Sequence, residues 1–208
     1  TIGQASLPFF AKETAKNNIS GLAKMVNDSI LQMLYLALPA SAIILVLRIP
    51  LVRLAYGAGS FPWAETVTTG KLVAMFALAI AAGSLSHIIV RVFYALRDTK
   101  TPFIINLIST TVNVSLSYYF LFVIKTGIVG MAFAITLADI LETTILTVIL
   151  YHVARFSLKE IIKPFGKMLL AAAVTTLSLW IPLRVLDQLI FDTTHPIPLI
   201  ILTVSVVI

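Results

Sequence analysis

Residues 91–102 read RVFYALRDTKTP, a basic connector that ends in a proline and lies between two apolar stretches, 66–96 and 102–124. A helix over 66–96 would be about 45 Å long at 1.5 Å per residue, so it must tilt within, or project beyond, a hydrocarbon core of about 30 Å. Pro102 suits the first position of the following helix, where its missing N–H costs nothing. The stretch is expected to be a polar turn between two membrane crossings at the inner face of a bilayer.

Working outward, Lys125, Thr126 and Gly127 form a link short enough to make helices over 102–124 and 128–154 antiparallel neighbours with touching faces. The basic stretch 155–167 leads through Pro164 into a helix over 168–185, and 187–198 leads to a sixth apolar run that reaches Ile208. On the other side, 48–65 carries Pro50, Gly57, Gly59 and Pro62 and is expected to break into short pieces. Before it, 29–47 reads as a crossing with Pro39 inside and a kink near Leu38. Residues 11–28, with Lys12, Glu13, Lys16 and Lys24, read as a segment along the membrane surface, and 1–10 as the tail of a helix. Thr at residue 1 and an end inside an apolar run lead us to expect an internal or C-terminal portion of a longer protein.

Composition supports this reading. The chain is 59% hydrophobic and 12% charged, with a mean hydropathy of +1.02, against about 45–50% apolar residues in soluble domains. The fold class is therefore all-α, a polytopic membrane helix bundle of about six crossings. A barrel is disfavoured because its strands are about 10 residues of alternating polarity, whereas these runs are continuous. Cysteine is absent, and the three histidines make no metal motif. The formal charge of +6 would suggest nucleic acid in a soluble protein, but here the basic residues sit in short loops, so no nucleic-acid partner is expected. Lys12, Lys16, Lys24, Arg91, Arg97, Lys100, Arg155, Lys159, Lys163 and Lys167 fall on one side. Arg48, Arg53, Lys71, Lys125 and Arg184 fall on the other. The richer side is expected to be cytoplasmic.

Hydrophilic residues inside the crossings recur at helical spacing. Asn106, Thr110, Asn113 and Ser117 share one face of 102–124, and Thr136, Asp139 and Thr143, with Glu142 beside them, share one of 128–154. Two such stripes on adjacent helices suggest a wet or ion-binding seam. Asp139 lies roughly 17 Å along its helix, where an unpaired carboxylate costs about 2.5–3.5 kcal/mol. It needs a partner or a proton: a cation or proton site, a counter-ion to an arginine and a structural ion pair all stay open. For the Asn and Thr stripe, interhelical packing bonds are the plainer reading. Asn113, Thr136 and Asp139 offer the hard oxygen ligands that an alkali cation prefers, so Na+ or H+ is the coupling ion to expect, with no other cofactor.

On 66–96, Ser84, His87 and Arg91 share a face. Arg91 can snorkel to the interface or meet an anionic headgroup in a cavity, and His87 reads as a satisfied interior histidine. No phosphate-cradling glycine loop, nucleophile elbow or H-E-x-x-H is present, so no catalytic residue is assigned and an enzyme is not expected.

The phrases LPFFAKE, LALPASAIIL, RLAYGAGSF, RVFYALRDTKTP, NVSLSYYF and GIVGMAFAIT follow one another in an order that resembles the MurJ/MviN family over about residues 1–150. Those proteins are lipid II flippases of the multidrug/oligosaccharidyl-lipid/polysaccharide exporter superfamily. The resemblance implies a chain that starts late in the eighth of fourteen helices. Residues 1–154 would form the second lobe and 155–208 an additional pair, helices thirteen and fourteen. It also implies alternating-access export of undecaprenyl-pyrophosphate-linked disaccharide-pentapeptide across the bacterial inner membrane. The partners it implies are lipid II, membrane lipids and cell-wall synthesis proteins. Asn113 and Thr136 match positions where some relatives place sodium ligands. Ser117 stands where a carboxylate is expected, and Asp139 and Glu142 depart from the family's small or amide residues. The alternatives are a drug/cation antiporter or polysaccharide exporter of the same superfamily, and a non-transporting membrane scaffold.

Overall fold

A computed structural model describes residues 2–16, 18–56, 61–154 and 156–189, with side chains between 8 and 181 in those ranges. The described residues are helical throughout their regular structure: α1 (Ile2–Ala15), α2 (Ile19–Val46), α3 (Arg48–Tyr56), α4 (Trp63–Ala95), α5 (Lys100–Tyr118), α6 (Ile128–Ala154) and α7 (Leu158–Leu189). A π-helical turn, Tyr119–Val123, extends α5. Five of these are long and apolar enough to cross a membrane: α2, α4, α5 with its π turn, α6, and α7 over Leu158–Ile181. The sixth apolar run, Arg155 and the Gly57 and Gly59 turn lie outside the described residues.

The RVFYALRDTKTP stretch folds as a helix stop followed by a helix start. At the end of α4, Asp98 N–H donates to Phe93 O at 2.9 Å and Arg97 N–H to Tyr94 O at 3.0 Å. This is the Schellman pattern, and it puts Arg97 in the left-handed region at φ 61°. Asp98 then turns its carboxylate to the next helix, accepting from the backbone N–H of Lys100 at 3.1 Å and Thr101 at 3.0 Å, and from the Thr101 hydroxyl at 2.6 Å. These donors satisfy amides that a helix N-terminus leaves unpaired. The Thr101 hydroxyl and amide hold the Asp98 carboxyl below the usual carboxylate range. Pro102 is the third helical residue rather than the first, still within the turn whose amides have no helical acceptor.

Two boundaries differ from expectation, each by about ten residues. Residues 19–28 do not lie apart on the surface but form the first turns of α2, capped by the Asn18 side chain, which accepts from Gly21 N–H at 3.0 Å. Leu22, Val26, Ile30 and Leu34 make one buried stripe at four-residue spacing that continues into the crossing. Likewise α7 begins at Leu158, not 168, because Ile161, Phe165 and Met168 pack on the core while Lys159, Lys163 and Lys167 occupy an exposed face. In both cases mean hydropathy drops where an amphipathic helix begins, although the helix itself continues. α6 spans the expected residues.

Side-chain contacts give the arrangement. α2 runs antiparallel to α4, with the Ser41 hydroxyl donating to Ala77 O at 2.7 Å, and Ile49 of α3, just beyond the end of α2, lies over Gly70. α5 and α6 form the expected antiparallel pair, with Ser109 donating to Ala138 O at 2.9 Å and Phe120 packed edge-on to Phe133. α4 and α6, with α5 between them in sequence, run parallel. Small buried residues on α4 (Ala77 and Ala79) and on α6 (Ala132, Ala134 and Ala138) let neighbouring helices approach closely, as membrane helix packing favours. The larger core residues gather toward the end that holds residues 95–100 and 154–158: Phe10, Val26, Ile88, Val92, Phe93, Leu150 and Phe156. The loops that charge counting grouped together are thus grouped in space.

Candidate functional site

Threonines on α6 set its register against α4. The Thr136 hydroxyl donates to Met75 O at 3.0 Å and the Thr143 hydroxyl to Ala82 O at 2.9 Å. Both donors and both acceptors are seven residues apart, two helical turns, which only a parallel pair of helices permits. Each hydroxyl also lies against its own i−4 carbonyl, at 2.9 Å for Ala132 and 2.8 Å for Asp139. Both side chains are buried.

That register brings Glu142 opposite Ser86. The Ser86 hydroxyl donates to one Glu142 carboxylate oxygen at 3.3 Å, and the Asn106 amide of α5 donates to the other at 3.4 Å. Glu142 therefore joins three helices through two long hydrogen bonds, of the kind worth about 0.6 kcal/mol each between membrane helices. Asp139, one turn earlier on α6, has no side-chain hydrogen bond among the described residues, and it lies within electrostatic range of Glu142 and His87.

The other expected residues surround this node. Ser84, His87 and Arg91 follow one face of α4, with His87 exposed and the other two half-buried. His87 is exposed on the described bundle and has no hydrogen-bond partner among the described residues. Arg91 has no ion-pair partner there either, so the arginine counter-ion reading of Asp139 and Glu142 finds no bond among the described residues. On α5, Asn106 and Thr110 are exposed and Asn113 and Ser117 half-buried, and the Ser117 hydroxyl donates to Asn113 Oδ1 at 3.1 Å. No described hydrogen bond joins Asn113, Thr136 and Asp139; Thr136 turns toward α4.

Ser86 and Ser109 escaped the sequence reading. Ser86 stands two residues from Ser84, off its stripe, whereas Ser109 falls three residues after Asn106 and four before Asn113 and was passed over because the stripe was drawn through Thr110. What the arrangement offers chemically is a half-open face of α4, α5 and α6. It carries two carboxylates, an imidazole, a guanidinium and two carboxamides on helices that are otherwise mostly apolar.

Comparison with known proteins gives this face a context. The family described as "Lipid II flippase MurJ" matches residues 1–197. A "Probable lipid II flippase MurJ" of Rhizobium meliloti (strain 1021) is 38% identical over 111 residues, 53% of this chain and 21% of that protein. Another from Rhizobium tropici is 32% identical over 151 residues, 73% of this chain and 28% of that one. The solved structure "Lipid II flippase MurJ, inward closed conformation" superposes with a TM-score of 0.74 at 23% identity, covering 99% of this chain and 41% of that one. This likeness shows that the folds agree. The chain spans between about a fifth and a third of the length of the curated relatives it matches. With five candidate crossings, no strand among the described residues and a match along nearly its whole length, the chain belongs to the MurJ lipid II flippase family.

Proposed function

We propose that this chain supplies the second lobe of a lipid II flippase in the bacterial inner membrane, with residues 155–208 forming an additional helix pair. The whole protein carries undecaprenyl-pyrophosphate-linked disaccharide-pentapeptide between leaflets by alternating access. One observation carries the reading: family membership coincides with interior polar groups gathered on one face of α4, α5 and α6. A scaffold gains nothing from placing carboxylates at that depth.

In this reading Ser84, His87, Arg91, Asn106, Asn113, Asp139 and Glu142 line one wall of the cavity, and the other lobe supplies the opposite wall. Arg91 meets the pyrophosphate, for which a guanidinium offers paired N–H donors. Asn113, Thr136 and Asp139 serve the coupling ion, Na+ or H+; Thr136 keeps lone pairs for it while its proton goes to an α4 or α6 carbonyl. Lipid II, bilayer lipids and cell-wall synthesis proteins are the partners.

The test is depletion in a bacterial host followed by measurement of lipid II accessible at the inner leaflet. Accumulation that the full-length protein reverses, and an Arg91→Ala version does not, supports the reading. Absence of accumulation rejects it.

A further inference from the structure

Among the described residues α7 lies against α2 and no other helix, and the two run parallel, since residue 27 meets 160 and residues 31–36 meet 168. Most of the seam is apolar. Ile161, Phe165 and Met168 of α7 pack on the core at spacings of four and three, and Leu31, Tyr35 and Leu36 of α2 stand around Met168 with about 440 Å3 left open between them. Such contacts recur with every turn, so sliding α7 along α2 by one turn, about 5.4 Å, exchanges one large apolar side chain for another. Helices in a bilayer gain little from apolar contact as such. The apolar part of the seam therefore does not fix how far along α2 the helix α7 stands.

Asn27 breaks the repeat. It is the polar member of the buried set on α2, at 4% exposed. Its amide donates to Glu160 Oε2 at 2.9 Å and to Ser157 O at 3.5 Å. Both neighbours are acceptors, which fixes the amide with its N–H2 toward α7, and its Oδ1 is buried with no hydrogen-bond partner among the described residues. Glu160 in turn bonds to this amide and to no lysine; the one ion pair among the described residues is Lys16–Glu13. A slip of one turn in either direction replaces Glu160 by Phe156 or Pro164, neither of which has a side-chain acceptor. The buried N–H2 would then be stranded together with Oδ1. Leaving a buried donor unmet costs more than the bond contributes when made, so the pair discriminates between registers even though Asn27, with its unpartnered oxygen, adds little net stability.

We propose that Asn27 and Glu160 are a registry device: this buried amide and its carboxylate acceptor decide where α7, and with it the segment that follows, stands along α2. A single buried asparagine sets the register of coiled coils in the same way, at a cost in stability. The inference is independent of the flippase reading, since register is measured without transport.

The full-length protein, with any other cysteines replaced, is reconstituted in lipid vesicles and spin-labelled at Lys24→Cys and Lys167→Cys, both exposed sites. The separation between the labels is read by pulsed electron paramagnetic resonance. A second pair, Ala40→Cys and Lys71→Cys, spans α2 and α4 as a control. With Asn27 and Glu160 intact the first pair should give one narrow separation. Glu160→Gln, whose side-chain oxygen still accepts from the Asn27 amide, should give the same one. Asn27→Leu and Glu160→Leu together should keep the unfolding midpoint, because an apolar pair replaces a polar one, yet spread the first separation over more than one value, displaced along the helix by about 5.4 Å, with the control pair unchanged. A single unchanged separation in the double variant overturns the proposal, whether or not the midpoint falls. So does broadening of both pairs together, which reports general loosening, or a lost single separation in Glu160→Gln.

Discussion

Ser86 on α4 and Glu142 on α6 meet at 3.3 Å, although 56 residues and an intervening helix separate them in sequence. The contact exists because α4 and α6 run parallel in a register held by Thr136 and Thr143. It places a carboxylate where α5 can reach it as well.

Glu142 should matter more to transport than to stability. Its two bonds are long, so Glu142→Gln should cost no more than about 1 kcal/mol of stability while reducing lipid II transport about tenfold or more. A double-mutant cycle with Ser86→Ala in detergent unfolding should give a coupling of about 0.6 kcal/mol. Unimpaired complementation by Glu142→Gln would remove Glu142 from the proposed cavity.

Thr143→Val should act the other way, on stability rather than transport, and Thr136→Val should carry a like stability cost beside the loss of its proposed ion ligand. Each removes a donor to an α4 carbonyl while keeping side-chain volume, at about 0.6 kcal/mol and at most about 1.7 kcal/mol. The sites are about 10 Å apart along α6, so their effects on unfolding should add within about 0.5 kcal/mol. A non-additive pair would mean that the helices shift register.

Asp98 is a cap, and its effect should follow pH. Asp98→Ala should destabilise by about 1 kcal/mol at neutral pH. Because the Thr101 hydroxyl and amide hold its carboxyl below the ordinary range, the contribution is fully present above the unfolded value of about 4 and is lost as pH falls through the lower folded value. Wild type and variant unfolding curves should therefore converge in acid. A difference that stayed constant down to pH 2 would refute the capping account.

Gly130 should tolerate no side chain. A Cβ there would lie 2.8 Å from Phe120 Cβ and also collide with the Thr126 hydroxyl. Gly130→Ala should loosen the α5–α6 turn at a cost of about 1–3 kcal/mol, read as a lower unfolding midpoint. Gly83, whose Cβ would meet nothing within 4 Å, is the control, and Gly83→Ala should not lower that midpoint.

The helices were legible wherever apolarity was continuous. The span of α6 followed from hydropathy and a glycine-containing turn, and the stop and start around RVFYALRDTKTP followed from its polar residues. Both boundaries that moved, at Ile19 and Leu158, did so where lysines and an asparagine interrupt the run. There the buried stripe persists at four-residue spacing, and averaging over all faces hides it. The stripes of α4, α5 and α6 were legible as faces, but their partners were not: Asn106 meets Glu142, and Thr136 turns away from Asn113.

The chain's own residues determined that it crosses a bilayer as helices, roughly where each crossing lies, and which side of each helix is hydrophilic. Transfer into a membrane and helical periodicity are properties of a segment and its immediate neighbours. Tertiary structure alone decided that α4 and α6 lie parallel, that Ser86 and Asn106 converge on Glu142, and that α7 rests on α2 through Asn27 and Glu160. Threonine and serine hydroxyls donate to any carbonyl within reach, so a helix carries no local mark of which neighbour it will bond. Close packing of small side chains between distant segments selects the pairing.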